Sequence, residues 1–178
     1  MAENLVSLQF KTIRDAFKAE YLNEEVRVSF KRDVKFTVGD VSIDAKESDL
    51  SSIPRWLAKL LEKDGAVEIQ LGDTANYVSR ALNRERIARP HDLSGIDIDF
   101  YVRANDYIEG LTSRESESFQ VSLNTFVASR VEKIVKIAAA SPLAAEMEAK
   151  LAAEERELYL KVHELSAAVR QGVLNKAG

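Results

Sequence analysis

The sequence predicts an α+β protein, with a small N-terminal β-rich domain followed by a mainly α-helical bundle domain. Two observations support this fold class. Before Gly72, apolar residues alternate with polar ones along several short stretches, which is the pattern of half-buried strands. After Gly72, apolar residues recur at the three- and four-residue spacing of helices. The polar turn at 72–74 separates the two patterns, so the predicted domains are residues 1–72 and 73–178.

The first domain is predicted to contain two helices and about four short strands. Apolar residues at helical spacing indicate a helix over residues 8–22, and alternating stretches follow it. The alternating residues are Val26, Val28 and Phe30; Val34, Phe36 and Val38; Val41 and Ile43; and later Val67, Ile69 and Leu71. Gly39-Asp40 separates the second and third stretches, and a two-residue loop with glycine predicts a β-hairpin there.

The second helix of this domain contains the only tryptophan of the chain, Trp56. Ser51 or Ser52 is expected to cap its N-terminus, with Pro54 in the first helical turn. Polar side chains such as Arg55 are expected on its solvent side. The predicted core residues of the small domain are Pro54, Trp56, Leu57, Leu60 and Leu61.

Four helices are predicted in the second domain, over residues 75–88, 97–112, 116–140 and from about 143 into the 170s. Ser141-Pro142 ends the third helix, because the residue before a proline disfavours helical conformation. The last helix shows leucines seven residues apart, which predicts a long packing face. These are Leu151, Leu158 and Leu165. The face packs either within a bundle of this chain or against a partner, and the sequence leaves both open.

Arg130 lies on the apolar side of the 116–140 helix. A buried guanidinium needs a partner, since an unpaired charge in a protein interior is strongly destabilising. The expected partners are acids of the preceding helix, namely Asp97, Asp99, Asp106 or Glu109. By contrast, Glu154, Glu155 and Glu157 are expected on a solvated face of the last helix.

The composition argues against several classes of function. The net charge of −4 provides no overall basic field for nucleic acid. The absence of cysteine removes thiol chemistry and Cys-ligated metals, and is typical of an intracellular protein. Neither a signal peptide nor a membrane span is expected. His91 and His163 stand outside any catalytic motif, so we expect no catalytic, cofactor-binding or metal-binding residues.

The strongest basic stretch of the chain contains four arginines within ten residues. They are Arg80, Arg84, Arg86 and Arg89, opposed only by Glu85. This stretch predicts either a weak contact with nucleic acid or a charged solvent face that pairs with acids. The negative total charge favours the second interpretation.

Two segments resemble GINS subunits of the Psf-two/Psf-three type. Residues 53–61 read Ile-Pro-Arg-Trp-Leu-Ala-Lys-Leu-Leu and precede a strand, which is similar to the small β domain of that family. Residues 126–138 read Phe-Val-Ala-Ser-Arg-Val-Glu-Lys-Ile-Val-Lys-Ile-Ala, similar to the Arg-x-x-Lys-Ile-x-x-x-Ala segment of its helical domain. The β-rich domain comes first, as in that branch. A compact chain without cysteine is most similar to an archaeal subunit.

The resemblance implies a non-enzymatic scaffold in DNA replication, cytoplasmic and nucleoid-associated at replication forks. It implies assembly with a paralogous GINS subunit of reversed domain order as a 2:2 heterotetramer, and association with the MCM helicase and a RecJ/Cdc-like replication protein. The last two helices then form the subunit interface, with no membrane contact. The expected interface residues are Phe119, Leu123, Phe126, Arg130, Leu151, Leu158, Val162, Leu165 and Val169. The alternative is a small nucleic-acid-binding module that uses the β domain and the Arg80–Arg89 stretch.

Overall fold

The computed structural model describes residues 2–39, 41–70 and 72–174, with the backbone alone at residues 2–7, 41, 73 and 174, and it has the predicted α+β fold. Its elements in chain order are α1 (Ala2–Asn23), β1 (Glu25–Phe30), β2 (Val34–Val38), β3 (Val41–Ala45), β4 (Leu50–Pro54), α2 (Arg55–Lys63), β5 (Val67–Ile69), α3 (Gly72–Ile87), α4 (Phe100–Glu109), α5 (Ser113–Ala140), α6 (Ala145–Glu148) and α7 (Ala153–Leu174). Asp40 of the predicted hairpin turn and Leu71 of the last predicted strand lie outside the described residues.

The chain divides into two compact units. The first, here called the β unit, comprises Ala16–Asp73, and so contains the C-terminal part of α1, the strands β1 to β5 and α2. The second, here called the helical unit, comprises the part of α1 through Asp15 and the chain from Thr74 onward. Each unit encloses its own apolar core.

The β unit is built around β1. Val26, Val28 and Phe30 are buried on one face of this strand, as their alternation predicts. β1 pairs antiparallel with β4 on one side and with β5 on the other, which gives the strand order β4-β1-β5. β2 and β3 form the predicted antiparallel hairpin. Gly39 at its turn has a φ of 57°, which glycine adopts without steric cost.

The structure corrects the start of the second helix. Ser51 and Ser52 do not cap it, because both lie in β4 and pair with β1. Pro54 has an extended backbone, with φ −53° and ψ 135°, and α2 begins at the next residue. Two adjacent serines carry no strand signal, so the pattern of apolar residues does not reveal β4.

Three of the five predicted core residues of the small domain pack in its core, one is half-buried and one is exposed. Leu57 and Leu61 are buried, Trp56 is half-buried against the core, and Pro54 is half-buried. Leu60 is 58% exposed, so its assignment to the core was wrong. Leu57 and Leu61 lie one turn apart on the buried face, and Leu60 lies on the side of the helix that faces solvent.

Arg55 was expected on the solvent side of α2, and the structure buries it instead. The residue is 4% exposed. Its guanidinium carbon lies 4.0 Å from the centre of the Tyr21 ring, near the end of α1. Such a cation–π contact stabilises a positive charge that burial removes from water. The prediction that Arg55 lies on the solvent side of α2 is therefore wrong.

The helical unit packs α3, α4 and α5 around a shared core, and the ring centres of Phe100 and Phe126 lie 5.1 Å apart within it. α5 begins at Ser113, three residues before the predicted start. The backbone N–H and the hydroxyl of Thr112 donate to the carboxylate of Glu115, at 3.3 and 2.6 Å, and so fix the first turn.

The last predicted helix is in fact two helices, α6 and α7. The chain between them bonds to the segment before α4: Ile96 N–H donates to the Lys150 carbonyl oxygen at 3.4 Å, and Ala153 N–H donates to that of Ile98 at 2.9 Å. Leu151 lies in this interruption and is buried, so it does not continue the leucine spacing of α7. The break contains neither proline nor glycine, and its backbone bonds to the segment before α4 instead of continuing the helix.

Candidate functional site

Arg130 is the centre of a buried ionic cluster in the helical unit. It lies on α5 and is 0% exposed. Its Nε and Nη2 donate to the two carboxylate oxygens of Glu155 at 2.6 and 2.7 Å, and Nη1 donates to Glu85 Oε2 at 2.8 Å. Nη1 also donates to the Ser94 carbonyl oxygen at 2.8 Å, and Nη2 to that of Lys150 at 3.0 Å. These bonds use every N–H donor of the guanidinium, so it is fully engaged within this chain.

Glu85 and Lys133 form the second half of the cluster. Lys133 follows Arg130 by three residues on α5, so both cations reach the same side of the helix. Lys133 Nζ donates to Glu85 Oε1 at 2.6 Å and to the Asp92 carbonyl oxygen at 3.0 Å. Glu85 Oε2 also accepts the N–H and the hydroxyl of Ser94, at 3.0 and 2.8 Å. One carboxylate thus joins α3, α5 and the loop before α4.

Glu155 anchors the start of α7 to the same cluster. Its Oε1 accepts the hydroxyl of Tyr101 at 2.6 Å, and its Oε2 accepts the N–H of Ala152 at 3.2 Å. An acid in the first helical turn also interacts favourably with the helix dipole. The cluster holds two cations and two carboxylates, so its formal charges balance.

Electrostatics favour the charged forms of Glu85 and Arg130, as the directions of their pKa shifts indicate. Burial would raise the pKa of Glu85, but hydrogen bonds, chiefly from Lys133, and the charge of Arg130 together lower that pKa below its ordinary value. Burial also opposes the charge on Arg130, but the hydrogen bonds and charge of Glu155 raise the pKa of its guanidinium above the ordinary value. Burial and the Glu155 carboxylate raise the pKa of the Tyr101 hydroxyl, which remains a hydrogen-bond donor.

The structure confirms that Arg130 is buried and paired with carboxylates, but the expected partners were wrong. The acids expected to pair with it, Asp97, Asp99, Asp106 and Glu109, are not its partners. Asp99 pairs with Arg103 at 2.7 Å instead. Glu155, expected on a solvated face, is buried. The sequence does contain one signal for these partners: Arg130 and Lys133 place two cations on one face of α5, and two buried cations require acidic partners.

The second feature of the helical unit is the exposed end of α7. Its first turn is bonded to the middle of α5 through the ionic cluster, and His163 Nδ1 lies 3.0 Å from the Ala138 carbonyl oxygen near the end of α5. The two helices therefore run side by side in the same direction. α5 ends at Ala140, as the following Ser-Pro predicted, whereas α7 continues to Leu174. The last part of α7 thus extends beyond the helix that it packs on.

This extension carries an apolar surface, here called the α7 stripe. Leu165, Val169 and Val173 recur every four residues and are 68%, 57% and 69% exposed. Residues four apart lie on one side of a helix, so the three side chains form a continuous row. A row of large apolar side chains in water is typical of an interaction surface.

The nine expected interface residues fall into three groups. Leu123, Phe126, Arg130 and Leu151 are buried; Phe119, Leu158 and Val162 are half-buried; Leu165 and Val169 are exposed. The first group packs inside the helical unit, so those four residues belong to its core or to the ionic cluster. Leu165 and Val169 belong to the α7 stripe.

The basic stretch lies on the surface. Arg80, Arg84 and Arg86 on α3, and Arg89 after it, are exposed. Arg80 and Arg84 line an open depression of about 540 Å³ together with Tyr77 and Asp97. Three basic residues near the hairpin of the β unit are paired with acids: Lys31 with Glu68, Arg32 with Asp64, and Lys35 with Asp44.

No group of three or more His, Asp or Glu side chains among the described residues is placed to hold a metal ion. His163 bonds to a backbone carbonyl, and His91 is exposed. Across residues 2–39, 41–70 and 72–174, no helix combines the length and apolar character needed to cross a membrane.

No protein-family model matches this chain, and no curated protein matches it. The similarity to GINS subunits therefore rests on the two segments 53–61 and 126–138 and stays a prediction.

Proposed function

We propose that this chain is a non-enzymatic scaffold subunit that assembles with partners through its helical unit. The α7 stripe carries the proposal. Fully burying a Leu or Val side chain stabilises by about 1.5–3 kcal/mol. The three side chains of the α7 stripe are more than half exposed, so covering them with a partner stabilises the complex by on the order of 1–2 kcal/mol each. An exposed row of this kind gains stability only when a partner covers it.

The ionic cluster supports the proposal because it fixes the direction of α7. Glu155 holds the first turn of that helix against Arg130, and Arg130 is held in turn by Glu85 on α3. A scaffold must present its contact surface in one orientation, and buried charge pairs favour a single arrangement of packed helices.

We propose further that the assembly is of the GINS type. In it, two copies of this chain combine with two copies of a paralogue of reversed domain order and act with the MCM helicase and a RecJ/Cdc-like protein at replication forks in the cytoplasm. The Arg-x-x-Lys segment supports this proposal, since Arg130 and Lys133 are the two cations of the cluster. The β-rich unit also precedes most of the helical unit, as in the Psf-two/Psf-three branch.

Co-expression with a paralogue of reversed domain order tests the proposal, with the mass of the purified complex measured by light scattering. Wild type and Gln171→Lys, which adds a charge on the same helix away from the stripe, are expected to form the complex. Leu165→Lys is expected to lose it while keeping its helical content, because a lysine charge cannot be buried without a partner. A wild-type chain that stays monomeric beside the paralogue, or a Leu165→Lys variant that assembles normally, contradicts the proposal.

A second candidate function is weak binding of single-stranded nucleic acid. The observation that favours it is that all four arginines of the basic stretch are exposed, with Arg80 and Arg84 one helical turn apart on α3. A salt titration of single-stranded DNA binding by the chain tests it, because each phosphate contact contributes about −0.7 to the slope of log K against log salt. Arg80→Ala with Arg84→Ala should reduce that slope by about 1.4. Binding that is independent of salt, or absent at micromolar protein, removes this candidate.

A further inference from the structure

The three-stranded sheet of the β unit, β4-β1-β5, has one covered edge and one open edge. At the β5 edge, α2 packs alongside the strand and Glu62 Oε1 accepts the N–H of Ile69 at 3.2 Å. At the β4 edge, no further strand among the described residues continues the sheet. Sheets in soluble proteins usually protect an edge with charged residues or a covering element. β4 contains no charged residue, and its Leu50 is 76% exposed.

Hydrogen bonding shows which backbone groups of β4 face outward. Phe30 N–H donates to the Asp49 carbonyl oxygen at 3.0 Å, and Arg55 N–H donates to that of Glu24 at 2.8 Å. In an antiparallel pair, residues alternate between those that bond to the neighbouring strand and those that do not. The odd-numbered residues of β4 therefore bond to β1. The even-numbered residues direct their N–H and carbonyl groups away from the sheet.

We propose that β4 is a homotypic pairing edge: it pairs antiparallel with β4 of a second copy of this chain, about a two-fold axis at Ser52. Ser52 N–H of each copy donates to the Ser52 carbonyl oxygen of the other. Leu50 N–H of each copy donates to the Pro54 carbonyl oxygen of the other. Four intermolecular bonds then join two three-stranded sheets into one six-stranded sheet. Proline has no N–H, and this register uses Pro54 only as an acceptor.

The side chains of β4 favour a second copy as the occupant. Two identical strands bring identical charges together, which is unfavourable when the charges are directly opposite. β4 avoids that repulsion, because Leu-Ser-Ser-Ile-Pro is uncharged. In this register the exposed Leu50 lies across from the half-buried Pro54, so two apolar side chains cover each other. A register centred on Ser51 instead places Leu50 across from a serine.

The pairing is expected to be weak in the isolated chain. Stable protein interfaces bury roughly 1,200–2,000 Å² in total, and one five-residue edge provides much less. We therefore expect a monomer–dimer equilibrium that depends on concentration. The inference does not rest on the proposed replication function, and its test uses the chain alone.

Cysteine cross-linking tests the geometry directly, because the chain has no cysteine of its own. Directly opposed residues of a hydrogen-bonded antiparallel pair have Cα atoms about 5.5 Å apart, within the roughly 4.4–6.8 Å of disulfides. Under mild oxidation, Ser52→Cys should form covalent dimers at least about tenfold faster than Leu60→Cys, an exposed control away from the edge. It should also be faster than Ser51→Cys. Equal rates for Ser52→Cys and Leu60→Cys, or a faster Ser51→Cys, overturn the proposed pairing.

A second experiment removes the outward donor. Ser52→Pro deletes an N–H that makes no bond to β1, whereas Ser52→Ala keeps it. Both are placed in a Leu165→Lys background, so that association through the α7 stripe does not mask the result. By sedimentation equilibrium, Ser52→Pro should weaken self-association at least about tenfold and Ser52→Ala should leave it unchanged.

Amide hydrogen exchange identifies which backbone N–H groups take part in self-association. In the Leu165→Lys background, the amides of Leu50 and Ser52 should exchange more slowly as protein concentration rises, and this protection should vanish at Leu50 in Ser52→Pro. Exchange at these amides that is independent of concentration overturns the inference. Protection that appears only when another protein is added also overturns it, in favour of a strand from that partner.

Discussion

Replacing Arg130 with methionine is expected to destabilise the helical unit by about 3–5 kcal/mol, the cost of removing one member of a buried ion pair. Methionine retains an unbranched apolar side chain but none of the five hydrogen bonds that Arg130 makes. Glu85 keeps Lys133, whereas Glu155 loses its bidentate cation. The buried cluster then changes from balanced charge to one net negative charge. The Ser94 carbonyl oxygen loses its bond from the guanidinium, and the Lys150 carbonyl oxygen keeps only its bond from the N–H of Ile96.

Urea denaturation followed by far-ultraviolet circular dichroism measures this loss, since helices dominate that signal. The matched control is Lys136→Met on the same helix, which removes an exposed ion pair with Glu132 at 2.5 Å. Exposed pairs of this kind contribute little to stability, because solvent and salt screen them. Fluorescence of Trp56 reports separately on the β unit.

A double-mutant cycle shows whether the unpaired Glu155 carboxylate causes the loss of stability. Glu155→Gln should reduce the free energy of unfolding less in the Arg130→Met background than in wild type, with a coupling of about 0.5–3 kcal/mol. The reason is that the glutamine amide is uncharged and leaves no unpaired charge in the interior. The reasoning fails if Arg130→Met costs no more than Lys136→Met, or if the two cluster substitutions are additive.

Three further predictions concern single residues. Because the folded-state pKa of Glu85 is lowered, its stabilising contribution is complete above the ordinary glutamate pKa of about 4.3 and is lost as the pH falls through the folded value. Urea titrations between about pH 5 and pH 3 should therefore show a smaller loss of stability with acid for Glu85→Gln than for wild type, and equal slopes contradict this. Tyr101→Phe removes the 2.6 Å bond to Glu155 and should cost about 1.5–3 kcal/mol by urea denaturation, whereas unchanged stability shows that this bond contributes little. In the β unit, Leu57→Ala should cost about 2–5 kcal/mol and Leu60→Ala less than about 1 kcal/mol by Trp56 fluorescence; similar costs contradict the assignment of the buried face.

The strands of the β unit show what the sequence reveals of this fold. Val26, Val28 and Phe30 alternate with polar residues because one face of β1 is buried, so a local pattern reports a local environment. β4 lacks such a pattern. Ser51 and Ser52 belong to a strand because β1 offers them backbone partners, and the sequence around the serines does not encode that pairing.

The ionic cluster shows why the functional candidates were harder to predict. The charged neighbours of Glu155 predict a solvated helix position. The side chain is nevertheless buried, and it pairs with Arg130, twenty-five residues earlier in the chain. The break before α7 has the same origin, since Lys150 offers its carbonyl oxygen to Arg130 and to Ile96. Periodicity detects a buried apolar face, but it does not detect long-range pairing of charges.

Residues 126–138, one of the two segments that resemble GINS subunits, therefore contribute to the fold of the helical unit. Substitutions in this segment and substitutions in the α7 stripe are expected to disrupt assembly in different ways. Arg130 and Lys133 are engaged with groups of their own chain, so a substitution there acts on assembly by unfolding the helices that present the α7 stripe. Leu165 is exposed, so its replacement by lysine removes the contact and leaves the fold intact. A scaffold of this kind is expected to lose both the complex and helical content in Arg130→Met, because Arg130 and Lys133 lie in the buried interior of the helical unit. It is expected to lose the complex alone in Leu165→Lys, because Leu165 lies in the exposed α7 stripe.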